Sequence, residues 1–115
     1  MADLSDLQKR VVAFRDARDW KQFHNPKDTA VSMLLEAAEF LEHYQWKSPA
    51  EIKSHLKQNH REVSEELMDV LYWVLLIAYD LKIDVQKEFE IKMTQNERKY
   101  PISKAKGSNK KYNQL

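Results

Sequence analysis

Glu36 and Glu39 stand three residues apart inside the apolar run from Ala30 to Leu41, and Glu66 and Asp69 repeat that spacing just ahead of the uncharged run Val70–Tyr79. Residues three apart share one face of a helix. Each pair therefore sets two carboxylates side by side among apolar neighbours. In water such like charges repel by only about 0.2–0.5 kcal/mol. In a partly buried site each carboxylate costs roughly several kcal/mol to desolvate. Something positive must compensate, yet no Lys or Arg lies between Lys27 and Lys47 or between Arg61 and Lys82. A divalent cation is the economical answer, and all-oxygen ligands suit Mg²⁺ or Mn²⁺. One such pair alone is usually a solvated stripe; two pairs on the two most apolar segments point to a metal.

The elements that must carry these acids are helices. Gly occurs once and Pro three times in 115 residues, too few for the tight turns of a β-rich domain. Leu4, Leu7, Val11 and Phe14 recur at helical spacing, so a first helix starts near Asp3 or Ser5 and ends before His24-Asn25-Pro26. Asn before Pro is disfavoured inside a helix, and Asp28 or Thr29 can cap the second, which runs to about Trp46. Ser48-Pro49-Ala50-Glu51 is a capping box with Pro at the first helical position. The polar stretch Ile52 to His60 after it reads as a short helix or an ordered crossover. The most apolar helix spans about Arg61 to Leu81, and Asp84 caps a last one that Pro101 stops. Together these predict an all-α chain, with residues 1–101 as a helical catalytic domain and 102–115 as a basic, flexible tail.

Composition removes several classes of function. Lys and Arg number 19 against 18 Asp and Glu, a net charge of +1, so no whole-protein field draws the chain to nucleic acid or membrane. Arg98, Lys99, Lys104, Lys106, Lys110 and Lys111 follow Glu97 and no acid does, but a short basic tail is usually solvated. The absence of cysteine excludes disulfides, zinc–thiolate sites and iron–sulfur clusters. Val70–Tyr79 is only half of the about 20 residues needed to cross a bilayer. MADLSDLQKR lacks an apolar signal core, and the expectation is a cytoplasmic protein. With Gly107 as its single glycine the chain cannot build a Gly-rich phosphate loop, so phosphates would have to be held by metal and side chains.

The acids fall into a pattern, Leu35-Glu36-Ala37-Ala38-Glu39 and then Glu66-Leu67-Met68-Asp69, that resembles the MazG-type all-α nucleoside triphosphate pyrophosphohydrolases. Leu35 replaces the first Glu of the fuller motif, a departure shared by the small dCTP-pyrophosphatase branch. The resemblance to that branch runs on through Arg18-Asp19-Trp20, Gln22-Phe23-His24, Gln45-Trp46-Lys47, Glu65-Glu66-Leu67, Lys92-Met93, Asn96, Arg98, Tyr100-Pro101 and Lys111-Tyr112. Val11 stands where dCTP-hydrolysing relatives carry a histidine.

The resemblance implies an antiparallel four-helix bundle, oligomeric as a homodimer or homotetramer. It implies a nucleoside triphosphate substrate, dCTP or a modified dNTP, cut to the monophosphate and pyrophosphate in nucleotide-pool housecleaning. Glu36, Glu39, Glu66 and Asp69 would be catalytic residues and ligands of Mg²⁺ or Mn²⁺, with Glu65 supporting them. Lys92 and Asn96 would meet phosphate. Trp20, His24 and Trp46 would contact the base, and Trp73 the sugar.

Three rivals are weighed against this reading. A di-iron carboxylate bundle needs Glu-x-x-His pairs, and none of His24, His43, His55 or His60 has a Glu three residues before it. A non-enzymatic helical oligomerisation module would leave the acids solvated and show no Mg²⁺-dependent stabilisation. The phosphoribosyl-ATP pyrophosphatase branch shares the fold, but the aromatic Trp20–His24 block favours free nucleotides.

Overall fold

The computed structural model describes residues 2–115 and is helical, with no strand among them. The helices are α1 (Leu4–Ala17), α2 (Pro26–Glu42), α3 (Pro49–Gln58), α4 (His60–Asp80), α5 (Val85–Lys99) and α6 (Ile102–Ala105), with 3-10 turns at Lys21–Phe23 and Tyr112–Gln114. They fall into two compact units, Met1–Lys82 and Ile83–Leu115. Among the described residues no helix is long and apolar enough to cross a membrane.

Local chemistry sets most of the helix ends. Asp3 and Ser48 cap α1 and α3 in reciprocal capping boxes with Asp6 and Glu51. Asp84 caps α5 by accepting from the Lys87 amide. The start of α2 differs from the sequence expectation. Asn25, not Asp28 or Thr29, is the cap: its side chain accepts from the Asp28 amide, and Pro26 is the first helical residue. The conformation that Pro imposes on its predecessor, extended here at φ −133° and ψ 164°, is the one an N-cap requires. The segment left as helix or crossover is a helix, α3.

In the first unit α4 is the spine. It packs along α2 most extensively, then on α1, and briefly on α3. Leu75, Leu76 and Ala78 near its C-terminal end are buried together with Val63 and with Val12 of α1. Among the described residues, Arg15 and Thr29 are the buried polar ones. In the second unit the residues after α5 fold back on it. The Tyr112 ring meets Tyr100 edge-on at 6.2 Å between centroids, and the Lys99 ammonium lies 4.8 Å from the Tyr112 ring centre.

Candidate active site

Because α2 lies along α4, the two acidic faces meet. Glu36, Glu39 and Glu66 each offer a carboxylate oxygen within 4.8 Å of the others. One oxygen of Glu36 and one of Glu66 are buried with no hydrogen-bond partner. Burial first, then a hydrogen bond to Glu39 and the charges of Glu39, Asp69 and Glu66, push the Glu36 carboxyl up to about 7. Glu66 is raised by burial and by Glu39, with His43 opposing. Asp69 is raised by burial and by the charges of Glu39 and Glu65.

Without a cation these shifts mark buried carboxylates first and unrelieved repulsion second. Among the described residues the ion pairs are Arg15 with Asp16 and Asp80, and Arg61 with Glu65, so none reaches this cluster. Close oxygens, orphaned lone pairs and no basic partner fit a hard divalent cation.

Asp69 lies outside the three-oxygen knot. It stands with Glu36 on the wall of an adjoining cavity of about 320 Å³, whose other walls are Phe14, Trp20, Tyr72 and Trp73. These rings form a run of edge-to-face contacts. Phe14 meets Trp20 at 5.7 Å and Tyr72 at 6.2 Å, Tyr72 meets Trp73 at 5.3 Å, and Trp73 meets His24 at 5.4 Å. The Arg18 guanidinium lies 3.7 Å from the Phe14 ring centre. Trp20 arrives here because α1 ends at Ala17 and Asp19 turns the chain with φ 54°, a left-handed conformation that Asp tolerates better than most residues.

Other candidates stand elsewhere. Glu65 is at the surface, paired with Arg61 at 3.0 Å. Trp46 follows the end of α2 in a left-handed turn, φ 66°, and is 92% exposed, away from the cavity walls of its own chain. Lys92 and Asn96 sit one turn apart on α5 in the second unit, Lys92 exposed and Asn96 half-buried. Phe14 and Tyr72 are cavity residues that sequence reasoning missed. Phe14 read as one more core position of a helix, while Tyr72, one turn after Asp69, carried a signal that was available.

Residues 31–115 match the family model described as the MazG-like family. This chain belongs to the MazG-like family. Its curated relatives include dCTP pyrophosphatase 1 of Rattus norvegicus, 33% identical over 97% of this chain and 67% of that protein. The Homo sapiens dCTP pyrophosphatase 1 is 32% identical over the same shares. A crystal structure of a pyrophosphatase from Archaeoglobus fulgidus superposes with a TM-score of 0.80 at 38% identity, covering 88% of this chain and 94% of that one. The MazG-like match begins at Val31 and so takes in both acidic pairs, while the curated relatives extend the likeness over Phe14, Trp20 and His24.

Proposed function

We propose that this MazG-like chain is a nucleotide pyrophosphohydrolase that cuts (deoxy)nucleoside triphosphates between the α and β phosphates, releasing the monophosphate and pyrophosphate. The observation that carries this reading is the knot of Glu36, Glu39 and Glu66, whose Glu36 also lines an aromatic cavity of about 320 Å³. The relatives' names add dCTP as the first substrate to try, with modified dNTPs next, in a pool-cleaning role in the cytoplasm.

Glu36, Glu39, Glu66 and Asp69 are the residues to hold Mg²⁺, with Mn²⁺ as a substitute. When bound, such an ion neutralises triphosphate charge, polarises the phosphoryl group and makes water more acidic. The carboxylates give the site its negative charge and its selectivity for a hard cation. A carboxylate oxygen of this set that is left free takes the proton from the attacking water. Trp20 and Trp73 hold base and sugar; stacking on one ring contributes about 1–3 kcal/mol whichever base is present. His24 supplies a polar contact beside Trp73. Lys92 and Asn96 are assigned to the phosphates, and Glu65 to support of the ligands, on the resemblance.

The catalytic unit is proposed as residues 1–101 in an antiparallel four-helix bundle, with 102–115 as a basic tail. Assembly into a homodimer or homotetramer is supported by apolar side chains left in the open on the acid-bearing helices. Leu34 is 67% exposed and Leu35 58%, with Leu67 and Met68 alongside on α4. In such an assembly Trp46 serves the pocket of a neighbouring copy. The test is a panel of dNTPs and NTPs incubated with the enzyme and Mg²⁺, with products separated by chromatography. Monophosphate and pyrophosphate, abolished by EDTA, are expected. Release of orthophosphate by the pure enzyme would sink the proposal.

A further inference from the structure

Apart from the aromatic cavity there is a second, more enclosed one of about 220 Å³, walled by Lys21, His24, Thr29, Asp80 and Leu81 among others. Arg15 reaches Asp80 from α1. Its Nη1 donates to both Asp80 carboxylate oxygens, at 2.8 and 2.7 Å, and its Nε donates to Asp16 at 3.2 Å. The side chain is completely buried, and its Nη2 has no hydrogen-bond partner. His24 has a matching defect, since its Nδ1 is buried and also unpartnered. Buried polar atoms in native structures rarely stay unpaired. No direct hydrogen bond joins these two orphans, and the cavity walled by His24 and Asp80 has room for a water that bridges them.

The chemistry of the partners sets the direction of that bridge. A guanidinium has only N–H donors and no acceptor. A water that accepts from Nη2 is turned by the guanidinium charge with its hydrogens away from it, so it donates to the Nδ1 of His24, and the ring proton then sits on Nε2. The alternative is an Nδ1–H donating to a second lone pair of Asp80, both of whose oxygens already accept from Arg15 Nη1. The charged groups facing the ring are Arg15 from α1, Asp80 from α4 and Lys21 from the 3-10 turn. Burial and then the Arg15 charge lower the His24 pKa, and Asp80 opposes more weakly.

We propose that the Arg15–Asp80 pair is a positioning element that holds His24 in its Nε2–H form, so that the ring offers a hydrogen-bond donor beside Trp73. The group it takes is a carbonyl oxygen or an unprotonated ring nitrogen of the nucleobase, and it turns away an N–H edge. This rests on the reading of His24 as a base contact. Arg15 and Asp80 are then specificity-determining at one remove: they touch no substrate but decide what His24 presents to it.

The test is long-range ¹H–¹⁵N correlation of the histidine rings in the nucleotide-free protein near pH 7, with His24 assigned through H24Q. The expected spectrum has Nε2 protonated and Nδ1 bare. An Nδ1–H or a doubly protonated ring in the wild type overturns the proposal. R15K keeps a positive charge but loses the fork, and D80N keeps the shape but loses the charge. Whichever of the two retains the wild-type helical signal should show mixed tautomers. It should also raise KM by about two- to tenfold, the worth of one hydrogen bond, with kcat nearly unchanged. An unaltered His24 spectrum in a folded variant also overturns it. If both variants unfold, the wild-type spectrum decides. The tautomer measurement uses no substrate, so inactivity toward every nucleotide refutes the proposed function without touching this result.

Discussion

Glu36 and Glu66 come from different helices, and each buries a carboxylate oxygen that no hydrogen bond satisfies. Each is held above its ordinary pKa, first by burial and then by Glu39. This is a site set against itself in the absence of a counter-ion, and its behaviour with and without cation follows from that.

Mg²⁺ should raise the melting temperature of the protein purified in EDTA. At a hundred times its dissociation constant an ion that binds only the folded state stabilises by about 2.7 kcal/mol. For a domain near this size about 1 kcal/mol moves the midpoint by about 4 °C, so a rise of about 10 °C is expected. E36Q removes one of the repelling charges. It should melt no lower than wild type in EDTA and should lose most of the Mg²⁺-induced rise. Thermal scans across a Mg²⁺ series read both effects, and an undiminished rise in E36Q would remove Glu36 from the ligand set.

The pH dependence of the metal-free protein has a definite sign. Burial and the neighbouring acids push the Glu36 carboxyl up to about 7 in the folded protein, against an ordinary value of 4.5. An acid raised on folding favours the folded state below its unfolded pKa and loses that contribution as pH rises through the folded pKa. The EDTA-treated protein should therefore become less stable between about pH 5 and pH 8. Saturating Mg²⁺ should flatten that slope, because it favours the ionised form. Chemical denaturation at several pH values checks both arms, and a metal-free stability that climbs over this window would contradict the picture of the cluster.

Glu39→Gln and Asp69→Asn each delete a charge at nearly constant volume. Each should lower turnover by about 100-fold or more, the scale of losing one preorganised electrostatic partner, with the helical circular dichroism unchanged. Asp69 is the sharper test, because it stands on the cavity wall and outside the knot of three oxygens. Near-normal turnover in Asp69→Asn would confine the reaction to the other three acids.

Trp20→Ala and Trp46→Ala separate a one-chain pocket from a shared one. Trp20 lines the cavity of its own chain, and Trp46 is almost wholly exposed there. Trp20→Ala should raise KM by about tenfold, within the range of one lost stacking contact, with kcat little changed. Trp46→Ala should do the same only if a second copy brings its indole to the site. Sedimentation together with kinetics reads this: a monomeric enzyme with Trp46→Ala kinetics like wild type would argue against assembly and against Trp46 as a base contact.

Much of this architecture could be read before any coordinates, because it is written in short-range chemistry. The capping residues Asp3, Ser48 and Asp84 act on amides three residues away, and the acidic pairs declare themselves by i,i+3 spacing within apolar runs. The start of α2 was misplaced because Asn25-Pro26 reads as a helix stop, whereas α1 already ends at Ala17 and Asn25 caps α2. Arg15 was invisible as a buried residue. Nothing local marks it, and its partner Asp80 lies 65 positions away. The walls contributed by Phe14 and Tyr72 needed the packing of α1 on α4, which periodicity can suggest but cannot register.

The spine helix α4 is anchored unevenly. Apart from Val63, its sealed residues are Leu75, Leu76 and Ala78 toward the C-terminal end, whereas Glu66 and Asp69 precede Leu75 on the same rod by about 13 and about 9 Å along its axis, at about 1.5 Å per residue. Backbone opening need not be uniform along such a helix. Amide protons around Leu76 should be among the last to exchange with deuterated water, and those around Glu66 should exchange sooner until a cation arrives and slows them. Loss of the ion would then register as breathing at one end of a rod whose other end stays clamped, and chelation would silence the enzyme reversibly, well short of melting it.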